Sequence, residues 1–143
     1  MVKSFHFSDA PGHLIRRAQQ LAVSIFMEET AGFDVTPVQF AILNALIDDP
    51  GEDQVTLSSR VAFDAATSGS VIGRLEAKGW LKREADPQDR RRKLLWTTPE
   101  GAQVALQMKR AVGRAQQRIV SPLDADERAQ LSALLGKLVA GHE

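Results

Sequence analysis

"DPQDRRRKLLWTTPEG", residues 86–101, decides how this chain is read. A Pro-containing turn leads into Asp89, and four cations follow in a row: Arg90, Arg91, Arg92 and Lys93. Next come "KLLWTT" and the helix-start signal Thr98-Pro99-Glu100. "WLKRE", residues 80–84, supplies a second short strand-like run on the near side of the charged loop. Two such runs around turn residues predict a β-hairpin with a long cationic turn.

Upstream of the hairpin, two short helical segments are expected. The first starts at Thr56 and carries Leu57 and Val61. The second starts near Asp64, carries Thr67, Val71, Ile72 and Leu75, and has Gly79 placed to cap its end. Before them, Thr36, Pro37 and Gln39 form a capping-box helix start. Val38, Ala41, Ile42, Ala45 and Leu46 make that helix's apolar stripe. An earlier helix over roughly 10–30 follows from Leu14, Ala18, Leu21, Ala22 and Ile25 at helical spacing. Downstream, Ala105, Met108, Val112, Ala115 and Ile119 alternate by three and four. Pro122 breaks that helix, and Asp124 with Glu127 starts another, striped by Leu131, Leu134, Leu135, Leu138 and Val139.

Two short helices followed by a hairpin make a winged helix-turn-helix, in which the second helix enters the DNA major groove and the hairpin reaches beside it. The fold class expected is mainly α with a small β-hairpin wing, in a single domain of 143 residues. The winged-helix lobe is assigned to 35–100, and dimerisation helices to 8–32 and 101–143. Three helices with continuous apolar stripes rarely satisfy one another within one chain, so a symmetric homodimer is expected.

The formal net charge is zero, with 18 basic and 18 acidic residues, so any nucleic-acid reading rests on where the charges lie. Between Arg74 and Lys93, eight cations face only Glu76, Glu84, Asp86 and Asp89. A local excess of this kind suits a phosphate-facing surface. The chain has no cysteine, which removes disulfides and thiol chemistry. It has no GxSxG, P-loop or HExxH pattern, so no catalytic residues and no cofactor are expected. His6, His13 and His142 show no metal-ligand spacing, so no metal is expected either. No apolar run approaches a membrane span or a signal-peptide core, and a cytoplasmic protein is expected.

The sequence resembles the MarR family of bacterial transcription regulators over nearly the whole chain, most strongly from Thr36 to Gly101. The family's wing pattern is Asp-x-Arg, a five-residue strand, then Leu-Thr-x-x-Gly. Here Asp89-x-Arg91, "RKLLW" and Thr97-Thr98-Pro99-Glu100-Gly101 match it, with Thr97 in place of the usual Leu. "RLEAKGWLKRE" resembles the family's end of recognition helix and first wing strand. The resemblance implies that Arg90 probes the DNA minor groove, that Asp89 and Arg91 brace the turn, and that Arg92 and Lys93 face phosphates. Arginine suits a narrow A·T-rich minor groove, where the potential is more negative. On the recognition helix, Ala66, Thr67, Ser68, Ser70 and Arg74 are the candidate DNA contacts. Its exposed start holds no long donor before Arg74, so bidentate base contacts are unavailable there. Gly69 and Gly73 either let the helix approach DNA closely or ease packing.

The resemblance further implies a dimeric repressor of a pseudo-palindromic double-stranded DNA operator, released by a small aromatic acid. The implied pocket draws on His13, Arg16 and Arg17 of the first helix, with Phe33, Gln39 and Phe40 around the second. Arginine binds a carboxylate bidentately. "HLIRRAQQLAV" resembles the subgroup governing aromatic-acid or nicotinate-type catabolism. The alternatives are a ligand-independent repressor or activator, a winged-helix protein-interaction module, and, least favoured, an enzyme.

Overall fold

The computed structural model describes residues 6–61 and 65–143. The predicted start of the second short helix near Asp64 lies outside the described residues. The chain forms two compact units, Thr30–Ala111 and Met1–Glu29 with Val112–Glu143.

In the first unit, α2 (Pro37–Asp48) begins with the predicted capping box: Gln39 N–H donates to Thr36 Oγ1 and Thr36 N–H to Gln39 Oε1, each at 3.1 Å. Residues Glu52–Asp53 form a two-residue strand, β1, that the sequence reading missed. It is followed by α3 (Gln54–Arg60) and α4 (Ala65–Ala77). The wing strands are β2 (Leu81–Ala85) and β3 (Lys93–Thr97). The sheet is antiparallel with order β1-β3-β2, pairing Asp53 with Leu94, Leu81 with Thr97 and Ala85 with Lys93. The wing is thus a three-stranded sheet rather than a bare hairpin. Helix α3 starts two residues before the expected Thr56, because Asp53 is its N-cap. Ile42, Leu43, Leu46, Leu57, Ile72, Leu75, Leu81 and Leu95 form the buried core, so α2, α3, α4 and the sheet share one apolar centre.

Gly79 ends α4 with φ 78°, the left-handed conformation glycine adopts without penalty. Trp80 then returns to pair with the start of α5 (Pro99–Ile119): Thr98 N–H donates to the Trp80 carbonyl at 3.0 Å. Thr98 Oγ1 accepts the Gly101 N–H at 3.1 Å and donates to the Gly79 carbonyl at 2.7 Å. A Cβ at Gly101 would overlap the Trp80 carbonyl oxygen and come within 2.9 Å of Thr97 Cγ2. The motif glycine is therefore required by this close approach. Along α5, Ala105, Met108, Ala111 and Ala115 are buried, while Val112 and Ile119 are half-buried.

In the second unit, α1 (Pro11–Glu29) and α6 (Ala125–Ala140) accompany the end of α5. Glu29 accepts from Arg114 Nε at 3.0 Å and Arg118 at 3.1 Å, and Arg118 also reaches Glu28 at 2.9 Å. Asp124 and Glu127 form the predicted capping box of α6. The apolar stripes stay largely open in the single chain. Leu14 and Leu21 of α1 are exposed, as are Leu131, Leu134, Leu135, Leu138 and Val139 of α6. Leu14, Ile15, Ile119, Leu131 and Leu135 line an apolar groove of about 410 Å³. No described helix is long and apolar enough to cross a membrane.

Candidate nucleic-acid interface and effector cluster

The wing turn is built by two aspartates. Asp89 Oδ1 accepts the Arg91 N–H at 3.1 Å, an Asx-type turn. The Arg92 N–H donates to the Asp89 carbonyl and the Asp86 N–H to the Arg92 carbonyl, each at 2.9 Å. Asp86 Oδ1 in turn accepts the Gln88 N–H at 2.9 Å. Asp89 thus accepts a backbone amide within the turn that it is expected to brace.

The four wing cations then separate. Arg90 and Lys93 are exposed, and neither has an ion pair or side-chain hydrogen bond among the described residues. Arg91 is 95 % exposed at its side chain, with Nε 3.5 Å from Asp89 Oδ1. Arg92 turns back: Nη2 lies 3.0 Å from Asp53 Oδ2 and Nη1 3.3 Å from Asp86 Oδ2. Arg92, expected to face phosphates, is thus an ion-pairing brace, while Arg91, expected to brace with Asp89, meets that carboxylate at 3.5 Å with its side chain otherwise in solvent.

Asp53 is the node of this arrangement. Its carboxylate accepts the Thr56 N–H at 3.0 Å and the Thr56 hydroxyl at 2.7 Å as well as Arg92. The Thr56 N–H, then the Thr56 hydroxyl, then Arg92 hold its carboxyl at about 2, below the ordinary 3.8. Sequence reasoning missed Asp53, although Asp followed three residues later by Thr at a helix start was a legible cap signal.

Helix α4 divides its small residues between two faces. Ser68, Ile72 and Leu75 recur at helical spacing on the buried face. Ser68 is 1 % exposed and its Oγ has no hydrogen-bond partner among the described residues, so it does not stand on the expected exposed start. Ala66, Thr67, Ser70 and Arg74 are exposed. A Cβ at Gly73 would meet nothing within 4 Å, and one at Gly69 only Gln54 Nε2 at 3.7 Å. Neighbouring side chains therefore do not require glycine at either position.

Several other cations of the run are committed locally. Lys82 pairs with Glu84 at 2.6 Å, and Arg83 with Glu76 at 3.1 Å. Lys78 donates to the Asp34 carbonyl at 2.7 Å. The cations left for an external anion are Arg74, Arg90, Arg91 and Lys93. A cleft of about 470 Å³ lies beside the last two, bounded by Val55 and Ser59 of α3.

The effector candidates fall in both units. In one, Arg16 Nη2 lies 3.0 Å from His13 Nδ1, and the His13 ring stands 4.7 Å from the ring of Phe7. Arg17 reaches Gln20 Oε1 at 3.4 Å instead. In the other, Phe33 and Phe40 are half-buried, while Gln39 is buried and committed to the capping box. Phe7 escaped sequence reasoning because it precedes the helix and belongs to no periodic stripe.

Comparison with known proteins follows the same architecture. Residues 33–92 match the model of the MarR family. The HTH-type transcriptional repressor NicR of Pseudomonas putida is 30% identical over 139 residues, covering 97% of this chain and 88% of that protein. The PcaV transcriptional regulator of Streptomyces coelicolor, solved in complex with its natural ligand, superposes with TM-score 0.87 at 35% identity, covering 99% of this chain and 100% of that one. BpsR of Bordetella bronchiseptica, whose DNA binding is regulated by 6-hydroxynicotinic acid, superposes with TM-score 0.91 at 35% identity, covering 96% and 98%.

Proposed function

The chain belongs to the MarR family of DNA-binding transcription regulators, and on that premise we propose that it is a homodimeric repressor released from its operator by a small aromatic carboxylate. Recognition of DNA falls to Arg74, Ala66, Thr67 and Ser70 of α4 and to the wing. Arg90 enters the minor groove, and Arg91 and Lys93 lie against phosphates. The dimer covers the open apolar stripes of α1 and α6. As a regulator of bacterial transcription, it acts in the cytoplasm.

The observation that carries the effector half is the Phe7–His13–Arg16 cluster, a cation and an imidazole beside an aromatic ring. Arg16 offers paired donors to a carboxylate, and the rings offer a face to an aromatic body. Arg17 is the second cation beside this cluster, and Phe33 and Phe40 of the other unit are further candidate ligand contacts. The regulation of BpsR by 6-hydroxynicotinic acid supports a pyridine or benzene carboxylate. The ligand acts by population shift: it favours a dimer whose recognition helices no longer match successive major grooves, about 34 Å apart.

The test is operator binding by fluorescence anisotropy, titrated with benzoate, 4-hydroxybenzoate, nicotinate and 6-hydroxynicotinate. At least one acid is expected to release DNA from the wild type, and Arg16→Ala to blunt that release without weakening DNA binding in its absence. DNA binding unmoved by all four acids overturns the effector half.

A further inference from the structure

One side chain ties the loop before α2 to the end of the recognition helix. Lys78 directly follows α4, and its Nζ donates to the Asp34 carbonyl at 2.7 Å, across 44 positions of sequence. The same ammonium lies 3.6 Å from Asp34 Oδ2 and 4.6 Å from the centroid of the Trp80 ring. Since the Asp34 side chain is 98% exposed, the carbonyl is the anchor. Asp34 has φ 53°, and it is the one non-glycine residue with positive φ among those described. Such a backbone persists where its surroundings over-determine it. Here the surroundings include the Lys78 ammonium, held between the carbonyl and an aromatic face.

The other end of the link is equally fixed. The Lys78 N–H donates to the Arg74 carbonyl at 3.1 Å and the Trp80 N–H to the Leu75 carbonyl at 3.0 Å. Trp80 passes the constraint to α5 by accepting the Thr98 N–H at 3.0 Å. A displacement of the Asp34 carbonyl therefore acts on the last turn of α4, one turn from Arg74, and on the start of α5.

We propose that Lys78 is a coupling residue: it makes the Phe33–Asp34 loop and the recognition helix move together. Lys78 is a positioning residue for the ligand response, and its ammonium is spent on the loop rather than on a DNA phosphate. The ligand arm of this proposal rests on the effector reading above, in which Phe33, next to Asp34, is a candidate ligand contact. A ligand shifts the equilibrium only by its differential affinity for two states, and the Lys78–Asp34 bond is what makes the loop state count at α4.

The test uses the full chain, an operator duplex selected in vitro by the wild type, and 6-hydroxynicotinate as the probe. In Lys78→Met, the fold-weakening of DNA binding by the probe is expected to drop by about threefold or more, while DNA affinity without probe stays within about threefold of wild type. Lys78→Arg, which keeps cation and donor, is expected to restore the response. A second arm needs no ligand: operator binding should slow hydrogen exchange of the Phe33–Thr36 amides in the wild type but not in Lys78→Met. Undiminished probe response in Lys78→Met, or equal loop protection in both proteins, overturns the proposal. If no acid moves the wild type, the effector reading fails and the exchange arm alone decides the coupling. Should Lys78→Met fail to fold, Lys78→Gln takes its place in both arms.

Discussion

Replacing Arg92 with alanine separates two roles that a wing cation can have. A phosphate contact shows in the salt dependence of DNA binding, adding about 0.9 to the slope of log K against log salt. A brace shows in the stability of the fold. Arg92 makes two charge-assisted bonds, at 3.0 Å to Asp53 and 3.3 Å to Asp86. Its side chain is 52% exposed, but the carboxylates are only 18% and 12% exposed. Exposed pairs contribute roughly 0.2–1 kcal/mol each, and the covered carboxylates place these two toward the upper end, so the loss is about 1–2 kcal/mol. Asp53 keeps its Thr56 bonds and Asp86 keeps the Gln88 N–H, so neither charge is stranded. At this chain length that corresponds to a fall in Tm of about 3–8 °C. A loosened wing still carries Arg90 and Lys93, so DNA affinity should fall by about 3- to 10-fold, about 0.6 to 1.4 kcal/mol, at roughly constant salt slope. The assays are thermal melting of the free protein and operator anisotropy between about 50 and 200 mM salt. A slope reduced by about 0.9 per protomer with unchanged Tm would refute the brace and return Arg92 to the phosphates.

Gly101→Ala should destabilise the fold by about 3 kcal/mol or more, because its Cβ meets backbone that cannot swing aside; a melting temperature within a degree or so of wild type contradicts the close approach. Gly73→Ala should do the opposite, raising stability by about 0.5–1 kcal/mol since its Cβ enters open space. If DNA affinity falls in that stabilised variant, the glycine serves the DNA approach; if affinity is unchanged, it does not. Asp53 is held at about 2, below its ordinary 3.8, so its stabilising effect is complete above 3.8 and is lost as pH falls through about 2. Asp53→Asn keeps a good N-cap but should flatten acid unfolding within that window, read by circular dichroism; a wild-type-like acid profile excludes Asp53 as a contributor.

The helices were legible because their signals are local. Thr36-Pro37-x-Gln39 and Asp124-x-x-Glu127 each satisfy backbone donors within one turn, so sequence spacing alone names the cap. Asp53 followed the same rule toward Thr56 and went unread because it sits in a short run of acids and turn residues. Strand β1 was not legible in principle: two residues have no periodicity, and only the Leu94 and Leu95 backbone across from them makes them a strand. The site was legible at coarse grain only. Adjacency placed the cations on the wing, but which arginine braces depends on carboxylates 39 and 6 positions away. Ser68 illustrates the same limit, since the face of a small polar residue on a Gly- and Ser-rich helix is set by the core it meets.

The zero net charge now has a structural reading. The acids near the cationic run are not a diluting background: Asp53 and Asp86 take Arg92, Glu76 takes Arg83, and Glu84 takes Lys82. The Arg92 and Arg83 pairs each hold an element that carries another cation. Arg92 fixes the base of the turn that carries Arg90, and Arg83 ties β2 to α4 near Arg74. Asp53 joins three elements at once, capping α3, pairing in β1 with Leu94 of β3, and holding Arg92. The helix-turn-helix and the wing are therefore one electrostatic unit. On the proposed docking, the short side chains exposed on α4 ahead of Arg74 offer bases no forked donor, so groove shape and half-site spacing are expected to carry much of the discrimination.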